Sequence, residues 1–120
     1  IPLESEDDKI RVYLLGTIAH EIIHRYQPSL SIETINKYDS IVEEENIPER
    51  KKYVSEYVVK HHEIYGNDKN TVLLEDMSEA VRIYVTNYSY LKKNYPYRLE
   101  FIEETFPFIK KDGATESILN

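Results

Sequence analysis

The residues that most often interrupt a helix are rare in this chain. Its 120 residues include three glycines (Gly16, Gly66, Gly113) and five prolines, and its apolar residues recur at intervals of three and four instead of alternating. A period near 3.6 puts such residues on one face of a helix, whereas a half-buried strand needs a period of two. The spacing therefore predicts an all-α fold of about five helices. The first begins at Ser5, where "SEDD" sets an acidic residue three positions after a serine cap, and runs through Ile10, Leu14, Ile18 and Ile22 to Tyr26, before Pro28. A second starts at Ser31 and carries Ile32, Ile35, Tyr38 and Val42. A third is expected from Pro48 to Gly66, with Tyr53, Tyr57 and Val58 on its apolar face. Thr71 is expected to cap a fourth, whose Leu73, Met77, Ala80, Val81 and Tyr84 form a broad apolar stripe, and Pro96 to open a fifth that is interrupted at Pro107.

With 41% hydrophobic residues, the chain is long enough for one domain over residues 1–120, with a loosely held tail from about Lys110. No apolar run approaches the roughly 20 residues that cross a bilayer. There is no cysteine, so disulfides, thiolate metal sites and cysteine nucleophiles are excluded, and His, Asp and Glu are the strong metal ligands that remain. A net charge of -7 argues against a nucleic-acid partner, since phosphate binding depends on clustered Lys and Arg. The nearest basic stretch, "ERKKY" at 49–53, follows the acidic "EEEN" at 43–46 and reads as solvated surface. The chain opens on Ile1, as expected of a processed product or a piece of something longer, and localisation is not legible from these residues. Most of the eleven tyrosines fall at helical spacing, such as Tyr53 with Tyr57 and Tyr84 with Tyr88, and are expected to pack in or beside the core.

One stretch carries chemistry. In "GTIAHEIIHRY", residues 16–26, His20 and His24 are four apart, so on a helix both imidazoles can face one ion. Glu21 lies about 100° around the helix from His20, where a carboxylate can take a proton from a metal-activated water. Ile18, Ile22 and Ile23 are expected to bury this helix and so set the histidines against the core. A catalytic zinc needs a third protein ligand and an open fourth position. His61 and His62 are adjacent and point about 100° apart, so they do not easily share an ion; one half-buried and one exposed histidine is the simpler expectation. Glu75 sits inside the apolar run "VLLEDMSEAV", with Glu79 four residues on and on the same face. Two carboxylates turned toward a core need a cation or hydrogen-bond donors, and the two histidines would answer both needs. The alternative is an exposed acidic stripe that also includes Asp76.

The series "AHEIIHRY", then "YGNDKNTVLLEDMSEAVRIYVTN", then "NYPYRLEFIEETFPFI" resembles the catalytic domain of the anthrax toxin lethal factor family of gluzincins, which also contains the clostridial Pro-Pro endopeptidases. The likeness runs over about residues 14–109, with a dissimilar stretch from 28 to 63. It implies zinc held by His20, His24 and Glu75, Glu21 as general base, and Glu79 as a carboxylate that orients a ligand histidine. It also implies a tyrosine shortly before the third ligand that donates to the oxyanion, for which Tyr65 is the candidate. Family members place a strand-bearing lobe ahead of the HExxH helix, and this chain has too few residues before His20 to build one. The expected fold is then the helical part alone, and the expected function a toxin-like, zinc-dependent endopeptidase acting on a peptide or protein, for which the family suggests a secreted or host-delivered setting. The other expectation is a zincin-like module that binds a partner or plays a structural part without catalysis.

Overall fold

In the computed structural model, the described residues, 5–66 and 68–110, form six α-helices and one 3-10 turn, with no strand among them. In chain order these are α1 (Glu6–Tyr26), the turn Gln27–Ser29, α2 (Ile32–Glu44), α3 (Glu56–Tyr65), α4 (Lys69–Thr86), α5 (Tyr88–Asn94) and α6 (Pro96–Thr105). The starts of α1 to α5 are fixed by small polar caps, whose side-chain oxygens accept an otherwise orphaned backbone N–H, and that of α6 by Pro96. Ser5 accepts from the Asp8 N–H at 3.0 Å and Ser31 from the Thr34 N–H at 3.1 Å, both as the sequence predicts.

Three boundaries differ from expectation. Residues 47–55 are turns rather than the start of a helix at Pro48, and α3 begins only after Ser55, whose hydroxyl accepts from Val58. The cap of α4 is Asp68 and not Thr71; the Thr71 N–H is the donor it receives. Asn87, held outside the helical region at φ -154° and ψ 67°, separates α4 from α5 and caps the latter, which turns five expected helices into six. At the other end, α6 stops at Thr105 because Phe106, preceding Pro107, is held at φ -126°, out of the helical region. The tail expected to be loose lies outside the described residues from 111 onward.

Helix α4 is the centre of the core. Its Leu73, Met77, Ala80, Val81 and Tyr84 are all buried, as the stripe predicts, and around them pack Ile23 of α1, Tyr38 and Val42 of α2, Val58 of α3, Leu91 of α5 and Phe101 and Ile102 of α6. Helix α1 lies antiparallel on α4: Gly16 is beside Arg82 and Thr86, and at the other end Gln27 reaches Leu74 and Ser78. A Cβ at Gly16 would stand 3.1 Å from both Arg82 Cγ and Thr86 Cγ2, so the absence of a side chain there permits the close approach of the two backbones.

The face that α1 turns inward is not the expected one. Gly16, Ala19, His20 and Ile23 are buried, whereas Ile10, Leu14, Ile18 and Ile22 remain 53%, 50%, 52% and 36% exposed. Of the three isoleucines expected to bury the helix, only Ile23 does so.

A second polar feature lies inside the core. The guanidinium of Arg98 on α6 is fully buried between two carboxylates, with Nε 3.0 Å from Asp76 of α4 and Nη1 3.4 Å from Glu45 after α2, and it also donates to the Lys52 carbonyl. Asp76 also accepts from the Tyr38 hydroxyl and the Val54 N–H, and Glu45 from the N–H groups of Tyr97 and Arg98. This network ties α2, α4, α6 and the 45–55 turns into one arrangement. Among the described residues, no helix is long and apolar enough to cross a membrane.

Candidate metal centre

Because α1 and α4 are antiparallel and close, a histidine pair on one and a carboxylate on the other meet at mid-helix. His20 Nε2 and His24 Nε2 are 3.0 Å apart; His20 Nε2 is 3.3 Å from Glu75 Oε2, and His24 Nε2 is 3.0 Å from Glu75 Oε1. Among the described residues, these three form the group able to hold a metal ion. Ligand atoms about 2.0–2.1 Å from a tetrahedral ion stand about 3.3 Å from one another. The observed triangle has that size.

The protons sharpen the point. The Gln27 amide donates through Nε2 to the Leu74 carbonyl at 2.8 Å and to the Ser78 hydroxyl at 3.1 Å, which fixes its orientation and leaves Oε1 facing His24 Nδ1 at 2.9 Å. His24 therefore carries its proton on Nδ1. His20 Nδ1 is 2.8 Å from Glu79 Oε2 and donates to it likewise. In the neutral rings, both Nε2 atoms then present lone pairs, and they converge with the Glu75 carboxylate, so the three groups offer one another no donor. Glu75 Oε2 is buried and has no hydrogen-bond partner. A site of this kind could hold a cation. Its demand also shows in the His20 ring: burial opposes protonation, yet the hydrogen bond to Glu79 and the charges of Glu79 and Glu75 outweigh it, and the pKa is raised.

Glu79, by contrast, is satisfied. It accepts from His20, from Arg82 Nε at 2.8 Å and, through Oε1, from the Ser55 hydroxyl at 3.1 Å. Burial pushes its carboxyl pKa up, but the His20 hydrogen bond and the Arg82 guanidinium more than offset this and hold it below the ordinary value. Glu79 orients His20 as a resident anion and is not a third ligand. The exposed acidic stripe is excluded: Asp76 and Glu79 are buried, and Glu75 is mostly so.

Glu21 is exposed on α1, one position from His20. Tyr65 is the last residue of α3, and its side chain lies outside the described residues. His61 and His62 are half-buried and exposed, as expected, and neither joins the cluster. Two contributors escaped the sequence reading. Gln27 sits past the HExxH helix, in the 3-10 turn that Pro28 forces, and a glutamine before a proline gives no metal-site signal. Tyr57, expected in core packing, is instead 51% exposed, with its ring edge-on to His20 at 5.9 Å. Partial burial, the charges of Glu75, Glu79 and Glu21 and a hydrogen bond to Glu75 raise its hydroxyl pKa. Its four-residue spacing to His61 was the available hint.

No protein-family model, curated protein or solved structure matches this chain.

Proposed function

We propose that the chain is a zinc-dependent peptidase domain, with zinc held by His20 Nε2, His24 Nε2 and Glu75. The observation that carries this reading is the convergence of three acceptors, none of which offers the others a donor, in a triangle of 3.0–3.3 Å. Zinc bound there would supply Lewis acidity, polarising a scissile carbonyl and acidifying a water. Glu21, exposed beside the ligand pair, takes the proton of the attacking water and later delivers it to the departing amine. Tyr57 stands over His20 with its hydroxyl protonated well past neutrality, and it donates to the oxygen on which negative charge develops. Glu79 and Gln27 hold the two imidazoles in the tautomer that presents Nε2.

The exposed apolar face of α1 favours a second reading, in which the same centre braces a partner-binding domain and cuts nothing. One experiment separates the two. A randomised peptide mixture is incubated with the zinc-loaded chain, with and without chelator, beside Glu21→Ala and Tyr57→Phe. The peptidase reading expects chelator-sensitive cleavage, lost in Glu21→Ala by at least about 100-fold at unchanged zinc content, and weakened in Tyr57→Phe. Zinc uptake without cleavage of any peptide overturns it in favour of the bracing role.

A further inference from the structure

Helix α3 reaches the centre from one side and is thinly anchored. Among its described side chains only Val58 is buried, while Tyr57 and Ile64 are 51% and 72% exposed. The stretch just before it is held far more firmly. The Lys51 and Tyr53 carbonyls accept from the Tyr95 hydroxyl at 2.9 and 3.3 Å, the Lys52 carbonyl accepts from Arg98, and the Val54 N–H donates to Asp76 at 2.9 Å. Four consecutive residues are thus pinned to α4, to α6 and to the residue that joins α5 to α6. The pinned stretch ends at Ser55.

The Ser55 hydroxyl serves both sides of that junction. It accepts from the Val58 N–H at 3.4 Å, which sets the first turn of α3, and it donates to Glu79 Oε1 at 3.1 Å. The two oxygens of Glu79 are divided between partners: Oε2 takes His20 Nδ1 and Arg82 Nε, both at 2.8 Å, and Oε1 takes Ser55. A carboxylate held through one oxygen can still turn about it, and the bond at the other fixes its plane. We propose that Ser55 is a positioning residue, the tie that registers α3, and with it Tyr57 two residues further on, against the His20 imidazole. This deepens the metal-centre reading above and rests on it. Running from Ser55 through Glu79 to His20, the tie makes each end depend on the other. An ion that fixes His20 also steadies the first turn of α3, and a loosened start of α3 frees the plane of Glu79. A hydroxyl that only capped a helix would carry no such dependence.

The test uses zinc alone on the full chain. Glycine caps a helix nearly as well as serine but has no hydroxyl, and threonine keeps both properties, so Ser55→Gly and Ser55→Thr separate the tie from the cap. The first readout is amide exchange at Val59, whose N–H bonds to the Ser55 carbonyl and so keeps its partner in every variant. Saturating zinc is expected to slow this exchange at least about 10-fold in the wild-type chain and less than about twofold in Ser55→Gly, with the response restored in Ser55→Thr. The second readout is competition with a chromogenic chelator, where Ser55→Gly should bind zinc about 10-fold more weakly and Ser55→Thr as the wild type does. Equal protection of Val59 and equal affinity in Ser55→Gly and the wild type overturn the tie and leave Ser55 as a cap. Peptide cleavage is read separately. A wild-type chain that cuts no peptide, yet shows protection that depends on Ser55, keeps the tie and loses the peptidase reading; a chain that cuts peptides without that protection does the reverse.

Discussion

Glu75 and Asp76 are neighbours on α4, and both carboxylates are withdrawn from solvent, yet their surroundings are opposite. Asp76 receives the Arg98 guanidinium, the Tyr38 hydroxyl and the Val54 N–H, so its cation and its donors all come from the chain. Glu75 faces two imidazole nitrogens whose protons are committed elsewhere, and one of its oxygens has no partner. A buried carboxylate with a resident cation is a structural tie, and a buried carboxylate without one is a request for a cation from outside. Burial still lifts the Asp76 pKa, with Arg98 working the other way, so even the completed network bears a desolvation cost. The contrast teaches that burial alone does not mark a functional site. What marks it is the balance between acceptors and donors around the buried group.

The largest test of this contrast is Arg98→Met. It strands Asp76 and Glu45 without their cation and should cost about 3–5 kcal/mol, read from urea denaturation; a loss under about 1 kcal/mol would mean that Asp76 was never dependent on Arg98. On the other side of α4, added zinc should stabilise the wild-type chain by about 2.7 kcal/mol at a hundredfold excess over its dissociation constant, seen as a concentration-dependent rise in Tm. Glu75→Ala should abolish most of that rise while leaving metal-free stability little changed or improved, because it removes an unsatisfied acceptor. An equal zinc response in both proteins would erase the distinction between the two carboxylates. Smaller still, Glu79→Gln and Gln27→Ala should each weaken zinc binding by about 10- to 100-fold by releasing the tautomers of His20 and His24, as measured by competition with a chromogenic chelator. The smallest effect is expected of Gly16→Ala without metal. There the gain in helix propensity, up to about 1 kcal/mol, is opposed by the 3.1 Å approaches to Arg82 and Thr86, and the net change in denaturation midpoint should be slight.

Much of the fold was legible because the relevant signals are local. Ser5, Ser31 and Pro96 announced their helices, and the α4 stripe announced the core, since the whole apolar set of α4 has neighbours on several sides. What the local pattern could not decide was the orientation of α1, which carries two apolar stripes. The longer side chains of Ile10, Leu14, Ile18 and Ile22 look more core-like, but α1 packs through Gly16, Ala19, His20 and Ile23, because Gly16 and Ala19 let it come close to α4. Choosing between the stripes is a tertiary decision. The centre was legible in the same uneven way: the His20 and His24 spacing is a within-helix property, and Glu75 stood out as an acid in an apolar run. Gln27 and Tyr57 reach His24 and His20 from the 3-10 turn and from α3, contacts that appear only once three separate segments are brought together.

Under the proposed function, the glycine at position 16 also bears on which ions the centre would accept. By letting α1 lie close against α4 at Arg82 and Thr86, it would help hold the histidines and Glu75 at their separation and so act as a caliper for ionic radius. A triangle of 3.0–3.3 Å suits a small ion with bonds near 2 Å and is too tight for calcium, whose oxygen ligands stand about 2.3–2.6 Å away. A methyl group at this position, one turn from His20, would open the caliper by a few tenths of an ångström and shift the preference toward larger divalent ions, leaving every ligand in place.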